Sequence, residues 1–147
     1  MNIKFYPLDI PRDWAWVREH NPVVLMENTK GIVAVDISKP GGERVGVCVM
    51  DSWSHNSVQV HMFIQNSMLL RHGFLEAIGN YVFNTCQKEL MIGLVPDDND
   101  AALRLNAHIG FKEMYRIEDG YMQGIDMVLL EARREDLARW LQHEEAA

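Results

Sequence analysis

The stretch from Ser57 to Pro96 constrains the fold most. SVQVHMFIQ (57–65) alternates Val58, Val60, Met62 and Ile64 against Gln59, His61, Phe63 and Gln65, the period-two pattern of a strand with two unlike faces. NSMLLRHGFLEAIGNYVFNTCQK follows, with Leu70, Phe74, Ile78 and Tyr81/Val82 on one helical face and Asn66 or Ser67 as N-cap. LMIGLVP (90–96) is a continuous apolar run ending at a proline, suited to a strand buried on both faces. Strand, helix and strand in that order imply a parallel pair joined by a right-handed crossover.

The remaining segments add antiparallel pieces around this unit. IKFYPL reads as a first strand, and PRDWAWVREH as a helix opening at Pro11. GIVAVDIS (31–38) and RVGVCVMDSW (44–53) form a hairpin about Pro40-Gly41-Gly42, with 57–65 as a third consecutive strand. A helix runs from about Asn99 to Ile109 and stops at Gly110. FKEMYRIE and MQGIDMVLLEA, separated by DGY, form a last antiparallel pair, and REDLARWLQH an amphipathic helix. With no internal repeat or linker, residues 1–147 are expected to form one domain.

Composition narrows the partners. A 48% hydrophobic and 24% charged chain suits a globular protein. The formal charge of -7 disfavours nucleic acid, which needs clustered Lys and Arg, and favours a cationic substrate. No apolar run approaches a bilayer span, so no membrane partner is expected, and MNIKFYPLDI gives no export signal; a cytoplasmic location is expected. Cys48 and Cys86 lie far apart without metal-ligand spacing and are expected to be reduced thiols, with no metal site.

The crossover helix opens on Arg71, His72 and Gly73. Glycine there lets a ligand approach free N–H groups, an anion site to which Arg71 adds charge; alternatively, Gly73 relieves crowding against the sheet. The element order, with two motifs, resembles the GNAT superfamily of acyl-coenzyme-A-dependent N-acyltransferases. Family members open this helix with Q/R-x-x-G-x-G/A, which aligns with LRHGFL, Leu70 to Leu75; Gly73 keeps the central glycine, while Leu70 and Leu75 depart from the pattern. The second motif, N-x-x-A followed by Gly-Phe, falls in register at Asn99, Ala102, Gly110 and Phe111. The fold class implied is α/β (α+β), a mixed, mostly antiparallel sheet with a central parallel βαβ crossover and flanking helices.

The resemblance implies acetyl-CoA as co-substrate. Its pyrophosphate would meet the backbone of Leu70, Arg71, His72, Gly73, Phe74 and Leu75, with Asn99 and Ala102 at the following helix. Its pantetheine arm would add along Phe63, Ile64 and Gln65 as an extra strand. Where many members carry a Tyr that protonates the thiolate, this chain has Asn106, which donates hydrogen bonds without titrating; the alternative is a polar residue facing solvent. His61 is the candidate general base, because an ordinary imidazole pKa of about 6.5 suits proton abstraction, and Asp51, His55 and Gln59 are near enough to relay through water. Arg104 and His108 either contact phosphates or face water. Trp14, Trp16, Met26 and Trp53 either line the acceptor side or belong to the core.

The function expected is acetyl transfer to an amine of a small molecule or peptide by direct attack in a ternary complex. A catalytically silent CoA-binding or protein-interaction module is the alternative, and a cofactor-free structural domain a third reading. Exposed strand edges and the RWLQH helix point to a homodimer as one way of covering them.

Overall fold

A computed structural model describes residues 1–145, with side chains described as far as Leu141. Among the described residues, seven strands form one sheet in the order β1-β2-β3-β4-β5-β7-β6. In chain order these are β1 (Ile3–Pro7), β2 (Lys30–Asp36), β3 (Glu43–Asp51), β4 (Ser57–Ile64), β5 (Leu90–Pro96), β6 (Lys112–Met122) and β7 (Ile125–Arg133). All neighbours are antiparallel except β4 and β5, as the strand–helix–strand stretch implies.

The larger apolar cluster packs Val58, Val60 and Met91 of the sheet against Phe74, Ile78 and Val82 of the crossover. It also takes in Ile109 at the end of α3 (Asp100–Ile109) and Leu141 in α4 (Ala138–Glu145). A smaller cluster joins Val33, Val47 and Val49 to Val17 of α1 (Ile10–His20). The alternation along β4 thus sorts its residues between these two clusters. Helix α1 starts where Asp9 and Asp13 cap each other's end of the first turn, the Asp9 amide donating to Asp13 Oδ2 at 2.9 Å. The buried Asp13 carboxylate also accepts from Arg12 and from Arg44 Nε on β3, which ties α1 to the sheet.

Three sequence expectations need correction. The crossover is not one continuous α-helix. Ser67–His72 forms a 3-10 turn capped by Asn66, Gly73 takes φ +87°, α2 covers Phe74–Gly79, and Asn80–Thr85 is wound as a π-helix. The left-handed Gly73 forces the break, since it cannot continue a right-handed helix. A Cβ at Gly73 would meet nothing nearer than Phe5 Cε2 at 3.9 Å, so its conformation, and not relief of crowding, calls for glycine. At Gly79 the reason is close approach, since a Cβ there would lie 2.5 Å from Leu141 Cδ2 on α4.

The second correction concerns the last hairpin. It turns at Gln123-Gly124, not at Asp119-Gly120-Tyr121, which stays within β6 as an irregular stretch. Asp119 holds it by accepting from the Gly124 amide while its own amide donates to Asp126. The last helix opens as a 3-10 turn, Arg134–Leu137, before α4; Gln142 and His143, expected on its amphipathic face, lie beyond the described side chains. No described helix is long and apolar enough to cross a membrane.

Candidate active site

Strands β4 and β5 pair over only three positions, Ser57–Gln59 against Leu90–Ile92, and then separate. Beyond that point β4 continues to Ile64 and β5 to Pro96, leaving a wedge open in the middle of the sheet.

Which backbone groups face this wedge follows from register. The Gln65 amide donates to the Val45 carbonyl at 3.0 Å, in line with Gly46 opposite Ile64. In an antiparallel ladder the next residues of the same set, Phe63 and His61, also turn toward β3. Met62 and Ile64 therefore point their N–H and C=O groups into the wedge. On the far side the Asp97 amide donates to the Asp126 carbonyl of the β5–β7 ladder, so Leu94 faces the wedge and Pro96 contributes no N–H there. The wedge is a strand-shaped slot whose walls carry unpaired backbone groups, the requirement for taking up an extended ligand by β-addition. Of the predicted strand contacts, Ile64 lies in the slot, the Gln65 amide is committed to Val45, and the Phe63 ring packs on Trp16 and His20 of α1 at centroid distances of 5.8 and 5.0 Å.

At the open end of β4 the chain enters the turn expected to hold phosphates. Leu69, Leu70, Phe74 and Leu75 all bury their side chains in the larger cluster. Both leucines that depart from the motif therefore turn into the core, although Leu70 also borders the outer side of the turn, where the backbone and the side chains of Arg71 and His72 are offered. Leu70, Arg71, His72, Gly73 and Glu76 instead line a cavity of about 510 Å³ together with Arg139 and Trp140 of α4. Arg71, Arg139 and the imidazole of His72 against one carboxylate make this cavity suited to an anion. Sequence reasoning missed the α4 contribution, which depends on the tight α2–α4 contact at Gly79. Arg139 lies over the Trp140 ring at 4.4 Å and donates to the His108 carbonyl, while Trp140 Nε1 donates to the Ile109 carbonyl at 2.7 Å.

His61 sits on the other face of the sheet. Val49 lies opposite His61 and Asp51 opposite Gln59, so both members of the diagonal pair share the α1 side with Val49. His61 Nε2 is 3.0 Å from Oδ1 of Asp51, which is 2% exposed. With Nε2–H donating to the carboxylate, Nδ1 is left to accept a proton. Asn21, at the end of α1, donates to the His61 carbonyl. His55 lies apart in the exposed turn before β4, whereas Gln59 shares the pair's face.

Asn106 belongs to the larger-cluster side. It lies on the inward face of α3 with Ala102 and Leu103 and is partly buried, so it is not a solvent-facing polar residue. Its Nδ2 donates to the Ala102 carbonyl at 2.8 Å. Asn99 caps α3 by accepting from the Ala102 amide at 3.1 Å. Arg104 and His108 are exposed, the latter edge-on to Trp140. Trp53 donates to the Asn28 carbonyl and meets Tyr81, Trp14 packs in the smaller cluster, and Met26 is exposed.

A seven-stranded, mostly antiparallel sheet opened at its parallel pair, with a crossover helix that begins at the mouth of the opening, is the mixed α/β architecture expected from the sequence, and solved N-acetyltransferase structures share it. No protein-family model matches the chain, and no curated protein sequence does. Among solved structures similar to it is the spermidine/spermine N-acetyltransferase SpeG from Vibrio cholerae in complex with manganese ions. That structure superimposes with a TM-score of 0.73 at 14% identity, covering 94% of this chain and 96% of that one. The spermidine N-acetyltransferase from Vibrio cholerae in complex with CoA and spermine gives 0.72 at 14% identity, covering 93% and 98%. At these identities the likeness is one of fold.

Proposed function

We propose that this protein is an N-acetyltransferase that moves an acetyl group from acetyl-CoA to an amine of a small molecule or peptide, by direct attack in a ternary complex. The observation that carries the reading is the wedge between β4 and β5, whose walls present unpaired backbone at Met62, Ile64 and Leu94 next to a cationic cavity. Those residues fit the cofactor: the slot suits an extended amide-bearing arm, and Arg71, His72, Arg139 and the amides at the start of α2 suit its phosphates.

Acetyl-CoA would supply the acyl group on a thioester, with a thiolate as leaving group. His61, oriented by Asp51, takes the proton from the incoming ammonium at Nδ1 so that the nitrogen lone pair can attack. The Ile64 N–H, directed into the wedge, is placed to polarise the thioester carbonyl and to stabilise the oxyanion that develops there. Reaction requires the acceptor on the α1 face and the cofactor in the wedge, which brings the reacting atoms together across the sheet. Cys48 is fully buried, and nothing here requires a covalent enzyme intermediate. Spermidine and spermine head the acceptor list because similar structures carry those names and a net charge of -7 attracts polycations. Aromatic amines follow because Trp16, His20 and Phe63 cluster, tilted and edge-on to one another, on the α1 face where the acceptor would enter.

One observation favours the second reading, a CoA-binding module without turnover: Asn106 cannot act as an acid, and one N–H of its amide is tied to Ala102. Calorimetric titration with acetyl-CoA tests both, followed by an acetylation assay over the amine panel. Micromolar affinity is expected, weakened at least tenfold by Gly73→Asp, which tolerates the left-handed backbone and sets a carboxylate at the phosphate turn. Binding without turnover of any amine selects the second reading. Failure to bind at millimolar acetyl-CoA refutes both.

A further inference from the structure

Strand β6 is uncovered on both of its faces: all eleven residues from Lys112 to Met122 are exposed. It is also an edge strand, paired only with β7. Of the large apolar side chains exposed among the described residues, five lie on it: Met114, Tyr115, Ile117, Tyr121 and Met122, each between 42% and 65% accessible. Edge strands are normally protected by shortness, proline, bulges or a dense row of charge, because their free N–H and C=O groups recruit other strands. This one is long and has no proline. Its straight portion, Tyr115–Ile117, lies between two irregularities and carries one charge, Arg116.

The charges on β6 are segregated along its length. Lys112 and Arg116 occupy the first half, and Glu118 and Asp119 the second, with Glu113 paired to Arg116 within the strand. A strand that is basic at one end and acidic at the other is complementary to itself when run antiparallel. Such pairing is what a two-fold axis generates, with residue i meeting j and j meeting i.

We propose that β6 is the interface of a symmetric dimer of this chain, with the two-fold axis at Tyr115. In that register Tyr115 meets the partner's Tyr115, and Lys112 meets the partner's Glu118. Lys112 already lies 3.4 Å from Asp136 and 4.0 Å from Glu131, but its side chain is 52% exposed and an ammonium has three donors, which leaves one to share. The short straight portion makes the backbone ladder brief, so side chains carry most of the association. The dimer is independent of the catalytic reading, because β6 lies two strands from the wedge at the far edge of the sheet.

Sedimentation equilibrium over a wide concentration range is the test. The unaltered protein is expected to reach twice the monomer mass with micromolar dissociation. Tyr115→Lys should raise the dissociation constant at least tenfold without lowering the melting temperature of the monomer, measured well below the dissociation constant, since the side chain is already exposed there. Lys112→Glu should weaken the dimer, and Lys112→Glu combined with Glu118→Lys should restore it; rescue by the swapped pair distinguishes apposition from a general effect of charge. Val24→Lys, at an equally exposed apolar position away from β6, should leave the dimer unchanged. A monomer at every concentration overturns the proposal and assigns the face to another partner. A dimer that survives Tyr115→Lys, or that the swap fails to restore, overturns it as well.

Discussion

Replacing Gly73 by alanine isolates the energy of one backbone conformation. The residue holds φ +87°, yet a Cβ there finds no atom closer than 3.9 Å, so alanine creates no collision with its surroundings. The cost is conformational alone, about 1–2 kcal/mol for a left-handed L-residue. Alanine also narrows the unfolded ensemble, which returns about 0.4–1 kcal/mol. The net loss is then about 1 kcal/mol, a fall in Tm of roughly 2–4 °C for a chain of this size. Asparagine tolerates the left-handed region better than alanine, so Gly73→Asn should cost less than Gly73→Ala. Gly46 supplies the opposite case, because a Cβ there would lie 2.5 Å from Leu69 Cδ2 and 3.2 Å from the Phe63 carbonyl. Gly46→Ala should cost about 1–3 kcal/mol through overpacking, and the larger Gly46→Asn more. The ranking of alanine and asparagine should therefore reverse between the two sites in thermal melts followed by circular dichroism. The same ranking at both positions, or an unchanged Tm for Gly73→Ala, would refute the conformational explanation.

Further expectations follow from the titratable and reactive groups. Hydrogen bonds from Ser38 and the Asn2 amide hold the Asp36 carboxyl down to about 2; burial raises that of Asp13, but donors from Arg12, the Asp9 amide and Arg44 outweigh it and leave it lowered. Both carboxylates therefore contribute stability that is complete above the unfolded aspartate value of about 3.9 and lost as pH falls through the folded values, so melts should lose Tm between pH 4 and 2. Asp36→Asn should shrink that loss, and an identical acid profile would count against it. With a competent amine, His61→Gln should lower kcat by about 10²–10⁴-fold while leaving the affinity for acetyl-CoA unchanged. An unchanged kcat would exclude His61 as the base. A thiol reagent should modify half-buried Cys86 in the native protein and reach Cys48, whose thiol burial pushes up, only after unfolding; two fast equivalents would contradict the packing.

The parts of the fold that were legible rest on local pattern. The alternation through β4 separates Val58 and Val60 from His61 and Phe63 because a sheet with unlike faces demands it, and the apolar run 90–96 matches β5 residue for residue because Pro96 closes it. The 3-10, α and π sequence of the crossover was not legible, since Leu70, Phe74, Ile78 and Val82 keep a helical stripe through all three windings. At the candidate site the residue types could be singled out but not their directions. That Ile64 faces the wedge while the Gln65 amide does not depends on pairing with Val45, twenty residues earlier in the chain. Likewise Arg139 and Trp140 reach the cavity beside Arg71 only through the fit of Leu141 against Gly79.

Among the described residues, three paired positions are all that join β1–β4 to β5–β7–β6 as strands. Below the wedge the sheet behaves as one plate. Above it, the two halves are joined by the packing of the larger apolar cluster and its helices and not by strand pairing. Amide exchange at Met62 and Ile64, whose N–H groups face the wedge, then needs no opening of the β3–β4 ladder, and protection should alternate along this part of β4, low at these two and high at His61 and Phe63, which turn toward β3. An extended molecule lodged in the seam would act as a missing eighth strand, suturing the halves so that they unfold together at a higher temperature.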